Sequence, residues 1–254
     1  MAALNGWWDD YFWGAFVIFQ VFFCSLGFMI IFGLLGAIAK LSGNKVAHRV
    51  ANAYTVVFRG TPEILVILLM YFGAAIFLTS VAQIFNPEVK FIDIPPFWAG
   101  TIAISLIVGS YATETFRGAF LGVNPGSIEA AKALGMSDVQ TFIYIRIPEM
   151  WRIALPPFGN HMLSLIKDTA LISIIGLNET MFVAKQAITV TGKPFTMYIV
   201  VGAIYLGFST VVTLSVMGLE KFGLKEHLYG KLKLFSNASG RSLKSSFISS
   251  VDLK

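Results

Sequence analysis

Pro125-Gly-Ser-Ile-Glu-Ala-Ala-Lys-Ala-Leu-Gly-Met136, closed by Ile145-Arg-Ile-Pro148, decides how this chain is read. It is the longest stretch with regularly placed charges in the middle of a very apolar sequence, so it reads as an aqueous island between membrane spans. Asn124-Pro125 has the form of a cap followed by a proline at the first helical position, where a missing N–H costs nothing. Glu129 falls in the first turns, where a negative charge complements the helix dipole. Ala130, Ala131 and Ala133 leave little side-chain bulk, so the helix is able to lie close against another surface. Gly135 is a helix stop and Ile147-Pro148 the start of a new segment.

The flanks supply the spans. The chain has 254 residues, 56% hydrophobic and 13% charged, where soluble domains average roughly 25% charged. So many apolar side chains exceed what one core buries, and lipid must be the solvent for much of the surface. A span needs about 20 mostly apolar residues. Tyr11 to Ala39, Ile64 to Pro87, Ile94 to Thr113 and Pro194 to Leu219 meet that requirement. Ile153 to Gly176 is a further span that carries His161 and the adjacent pair Lys167-Asp168, with these ionisable groups facing inward. Five spans place the termini on opposite sides.

Charge orients them. Lys40, Lys45, Arg49 and Arg59 precede the first following acid, Glu63, so this loop is expected in the cytoplasm. The loop with Glu88, Lys90 and Asp93 is then external, and the Glu129 loop and the basic tail are internal. The N-terminus lies outside, with Trp7, Trp8, Tyr11, Phe12 and Trp13 as an interfacial belt. Asp9 and Asp10 stand where a signal peptide would be basic, so none is expected. The division expected is residues 1–12 as an external segment, 13–222 as the transmembrane domain with a loop at about 118–150, and 223–254 as a disordered cytoplasmic tail.

Glu129-Ala130-Ala131, Gly135, Ile145 and Ile147-Pro148 match, with Ile for Leu at 147, a signature of the membrane subunits of bacterial ABC importers. The chain resembles that family over about residues 15 to 222. In it this segment is a coupling helix that docks on the ATP-hydrolysing subunit, which assigns Glu129, Ala130, Ala131 and Gly135 to coupling. The resemblance implies an all-α type I importer transmembrane domain in a bacterial inner membrane. Arg59-Gly60-Thr61-Pro62-Glu63 also reads as good membrane-helix grammar, with Arg59 reaching interfacial phosphates. It resembles the start of span two in polar amino acid permeases, and the acid at Glu63 is similar to the branch serving histidine, lysine, arginine, ornithine and opines. Gly109-Ser-Tyr-Ala-Thr-Glu-Thr-Phe-Arg-Gly118 is similar to the end of span three in that branch.

Within these runs Glu114 and Arg117 share a helix face, so Glu114 either pairs locally or lines the path. Asp168 lies about 25 Å along a helix starting near Trp151; it either contacts substrate or bonds to nearby backbone. Thr169 and Asn160 complete the path expected from the resemblance. His161 and Ser164 share a face, but without Gly-x-Ser-x-Gly or a third group they form no hydrolytic dyad, and His161 reads as a packing or hydrogen-bonding residue. No metal site is expected from three histidines without ligand spacing and one cysteine, Cys24. The sequence lacks a P-loop, so ATP and magnesium would sit on a partner ATPase dimer and no cofactor on this chain. A second permease, identical or homologous, and an external solute-binding protein complete the expected assembly, with no nucleic acid. The function expected is ATP-driven import of basic amino acids or opines. Neutral or acidic amino acids remain open as cargo, as does a passive channel or membrane enzyme.

Overall fold

The computed structural model describes residues 6–238, with side chains described as far as residue 221. The described residues are helical without a strand: α1 (Trp8–Leu41), α2 (Lys45–Gly60), α3 (Glu63–Phe85), α4 (Pro96–Leu121), α5 (Pro125–Ala133), α6 (Asp138–Thr141), α7 (Ile147–Asp168), α8 (Thr180–Thr191) and α9 (Pro194–Ala238). A π-helical turn, Phe142–Arg146, joins α6 to α7, and a 3₁₀ segment, Thr169–Ile175, follows α7. Residues up to Thr213 form one compact unit, and the chain from Leu214 forms a second. Helices suit this composition because each backbone N–H finds its carbonyl within the segment, where lipid offers no partner.

α4 is the central element, touching α1, α2, α3 and α7. Its small residues, among them Ala99, Ala103, Ser105, Ser110 and Ala112, are buried and let neighbouring backbones approach. α1 runs parallel to it. The Ser25 hydroxyl donates to the Thr101 carbonyl at 3.3 Å, and a side chain at Gly36 would collide with Thr113. Beside this pair Tyr11, Val183, Ala184, Ala187, Met197 and Val201 join the start of α1 to α8 and α9 in a buried cluster.

Among the described residues four helices are long and apolar enough to cross a membrane: α1, α3, α4 and the Pro194–Lys221 part of α9. The fifth span is bent. The helical run Asp138–Ile175 turns by 50° into α8, so the span expected at Ile153 to Gly176 is part of a longer bent unit. Gly176 does stop the run, in the left-handed region at φ 89°, but the chain then enters α8 instead of a loop. Ile147-Pro148 does open α7, as expected, although the helical run continues into it without a break. Pro148 falls in the first turn of α7, directly after the π turn, where a missing N–H costs little.

The basic segment after span one is not a plain loop. Asn44 accepts hydrogen bonds from Val46 and Ala47 and starts the 16-residue α2, which packs on α1 and α4. α4 runs on to Leu121, past the expected end at Thr113, because Thr115–Leu121 continue the helix onto a buried face that includes Phe116 and Phe120. α1 begins at Trp8, inside the segment expected to lie before it. Trp8, Phe12 and Trp13 are exposed as a belt requires, but Tyr11 is buried and donates to the Met197 carbonyl at 3.3 Å. The helix α9 takes in residues 223–238, assigned by sequence to the tail; residues 239–254 lie outside those described.

A methyl group at Gly36 has Thr113 in its place, whereas Gly73 faces nothing within 4 Å. We expect Gly36→Ala to cost about 1–3 kcal/mol through overpacking of α1 on α4. Gly73→Ala should be neutral or slightly stabilising. Thermal unfolding midpoints in detergent check the pair.

Candidate functional site

The loop that opened the sequence folds as its caps require. Asn124 Oδ1 accepts from Gly126 N at 2.9 Å and Pro125 occupies the first turn. The helix ends at Gly135, φ 81°, with Met136 N donating to the Ala131 carbonyl at 3.1 Å and Gly135 N to that of Lys132 at 3.0 Å. This double closure needs a left-handed residue, which glycine adopts without steric cost. Ser137 and Gln140 then form a reciprocal capping box for α6. Lys132 Nζ lies 2.9 Å from Asp138 Oδ1 across the turn and holds that carboxyl below its usual range by hydrogen bonding and charge. Ala131 is buried and anchors the helix, whereas Glu129 and Ala130 are exposed. Leu134, which sequence reading passed over, is 84% exposed beside them.

A second cluster ties α1, α2 and α4 together. The Lys40 side chain is only 6% exposed. Its ammonium donates to Glu114 Oε1 at 2.5 Å, Thr55 Oγ1 at 2.6 Å and Asn52 Oδ1 at 3.2 Å. Arg117 Nε takes the other oxygen of Glu114 at 2.9 Å. The local Glu114–Arg117 pair was legible in the i, i+3 spacing; Lys40, 74 residues away, was not. Both oxygens of Glu114 are thus committed to cations.

The third feature is a cavity of about 200 Å³ lined by Glu63, Val108, Tyr111, His161, Ser164 and Asp168. Glu63 opens α3, Asp168 closes α7 and Tyr111 comes from α4, so three helices meet there. Thr61 turns the chain between α2 and α3, with its hydroxyl on the Val57 carbonyl at 2.8 Å, and Pro62 caps α3. Gly60 ends α2. Arg59, exposed at the end of α2, also lies over the Tyr111 ring, 5.2 Å from its centroid, where the ring's negative face attracts it. His161 Nε2 meets Thr115 Oγ1 at 2.8 Å, as befits a hydrogen-bonding residue. Of the expected path residues, Asp168 lines the cavity. Thr169 is buried behind it, Asn160 is exposed on α7 one residue before His161, and Glu114 is held in the ion cluster. Glu63, noted only as a branch marker, is the carboxylate that the fold sets opposite Asp168.

The pattern of the binding-protein-dependent transport system inner membrane component matches residues 29–221. The chain belongs to that family. It is a multi-pass membrane permease subunit of the amino acid ABC transporter class and not an enzyme. It is 40% identical over 208 residues to the histidine/lysine/arginine/ornithine transport system permease protein HisQ of Escherichia coli K12, covering 82% of this chain and 90% of the relative. It is 41% identical over 218 residues to the nopaline transport system permease protein NocQ of Agrobacterium fabrum, covering 85% and 92%. A solved amino acid ABC transporter with histidines shares the fold with a TM-score of 0.70 and 28% identity, over 84% of this chain and 94% of that one. The inward-facing MetNI methionine ABC transporter shares it at 0.63 and 14%, over 87% and 97%.

The ion cluster makes an ordered prediction. Lys40→Met leaves Glu114 still paired with Arg117, whereas Glu114→Ala leaves two cations facing each other, one of them enclosed. Breaking a buried pair from one side costs about 3–5 kcal/mol; partial exposure of Glu114 and Arg117 reduces this to roughly half. Glu114→Ala should therefore lower the unfolding midpoint more than Lys40→Met. The reverse order, measured in detergent-solubilised protein, would refute the cluster's role.

Proposed function

We propose that this permease imports amino acids with a cationic side chain, or opines, driven by ATP on partner subunits. The observation that carries the reading is the pair Glu63 and Asp168, two carboxylates from different helices on one cavity. Two like charges at one enclosed site repel, and a cationic group between them relieves that repulsion. The histidine/lysine/arginine/ornithine and nopaline functions named for the two relatives support the same cargo class. The cavity falls below the roughly 300 Å³ at which ordinary ligand sites begin, so it suits one end of an amino acid. Asn160 flanks the path, while Thr169 and Glu114 fix its walls.

In this reading Glu129, Ala130, Ala131 and Gly135 form the coupling helix, and exposed Leu134 joins them on an ATPase dimer that holds ATP and magnesium. A second permease and an external solute-binding protein complete the importer. The N-terminus lies outside and the C-terminus in the cytoplasm of an inner membrane, from the basic residues of α2 and its approach. Nucleotide binding and cargo each favour a different global state, which is alternating access.

Two experiments test this. The tagged chain should retain its ATPase in a detergent pull-down, and Gly135→Asp or Glu129→Lys should lose or uncouple it; equal behaviour of all three would sink the coupling assignment. Asp168→Asn and Glu63→Gln should each lower arginine uptake about tenfold, the size of one charge-assisted contact, with assembly intact. Competition by histidine and arginine but not glutamate is expected. Normal uptake by both variants would remove the carboxylates from the path.

A further inference from the structure

The bend after the 3₁₀ segment is built on a carboxylate that the transport reading leaves unused. Glu179 is 0% exposed. It caps α8, with Oε2 accepting from Met181 N at 2.8 Å and Oε1 from Phe182 N at 3.0 Å. Oε2 also takes the Thr180 hydroxyl at 3.2 Å and the Tyr205 hydroxyl at 3.2 Å. No ion pair among the described residues includes it, so these four donors bear the whole cost of its burial.

Three of those bonds are local. The fourth leads elsewhere. Tyr205, on α9, also meets Thr169 Oγ1 at 3.2 Å, and the Thr169 hydroxyl lies 2.7 Å from the Ile166 carbonyl of α7. Thr169 is 1% exposed and directly follows Asp168. Glu179 only accepts, so Tyr205 gives its proton to Glu179 and is tied to Thr169 by accepting from the Thr169 hydroxyl, which otherwise donates to the Ile166 carbonyl. A shorter aspartate would also cap α8; the extra methylene of glutamate lets one carboxylate serve the cap and Tyr205 together.

We infer that Glu179 is a positioning residue for Asp168, acting through Tyr205 and Thr169. The chain of bonds fixes the backbone at the point where α7 gives way to the 3₁₀ segment, and that point sets where residue 168 meets the cavity. The functional meaning rests on the reading of Asp168 as a cargo contact; the positioning itself does not.

The test is a cysteine reporter in membranes that contain the whole transporter, in a Cys24→Ser background. Asp168→Cys is reacted with a small cationic methanethiosulfonate, with and without Tyr205→Phe or Glu179→Gln. Tyr205→Phe removes one hydroxyl and should change the labelling rate by about fivefold, the scale of one net hydrogen bond. Ser164→Cys, on the same cavity one turn earlier, should change less than about twofold, because it precedes the anchored turn. An unchanged rate at Asp168→Cys, or an equal change at both cysteines, overturns the inference. If Glu179→Gln does not accumulate, Tyr205→Phe and Thr169→Val decide it. Arginine protection of Asp168→Cys is read separately; its absence counts against the cargo and leaves the positioning result intact.

Discussion

The contact of α1 with α4 is the constraint from which the remaining arrangement follows. Lipid gives two apolar helices no reason to associate, so attraction must come from close packing and from hydrogen bonds between them. Glycine at 36, small residues along α4 and the Ser25–Thr101 bond supply both. With α1 seated, Lys40 arrives beside Glu114, and α2 is held by Thr55 and Asn52 on that same ammonium. α2 then delivers Arg59 to Tyr111 and hands the chain to Glu63. The cavity is therefore downstream of a packing decision made by residues with no functional chemistry.

Charge is handled in two ways in this fold. Lys40, Glu114 and Arg117 are satisfied by one another and by neutral acceptors, which makes them a fastening. Glu63 and Asp168 are set on a cavity without a compensating ion pair, which makes them receptive. A charged group at membrane depth is costly unless something answers it. Where the protein does not supply that answer, the proposed reading assigns it to the passing cargo.

Much of this was legible in sequence because its causes are local. Asn124-Pro125 and Gly135 announce a helix and its end, and apolar runs of span length announce the crossings. What escaped notice depends on distance. Lys40 finds Glu114 only after α1 and α4 have packed. The cap of α8 was missed because glutamate is an unusual N-cap, although Met181, Ala184 and Ile188 carry a helical period behind it. Tyr11 was read as a belt residue from its neighbours, yet its face is covered by α8 and α9, which no local pattern reveals. Asp168 was identified from its place in a motif, but its partner Glu63 needed the fold.

The π turn at Phe142–Arg146 joins α6 to α7 with no loop between them. From Asp138 to Ile175 the backbone is helical without a loop, so the end of the proposed docking loop and the cavity share one helical run. No loop separates Val139 from Asp168 along the chain. The wide turn lies within this run as a single π-helical turn, a feature found frequently at functional sites. In the proposed reading, a push on the docking loop therefore meets backbone that is helical all the way to Asp168, with no linker to take it up.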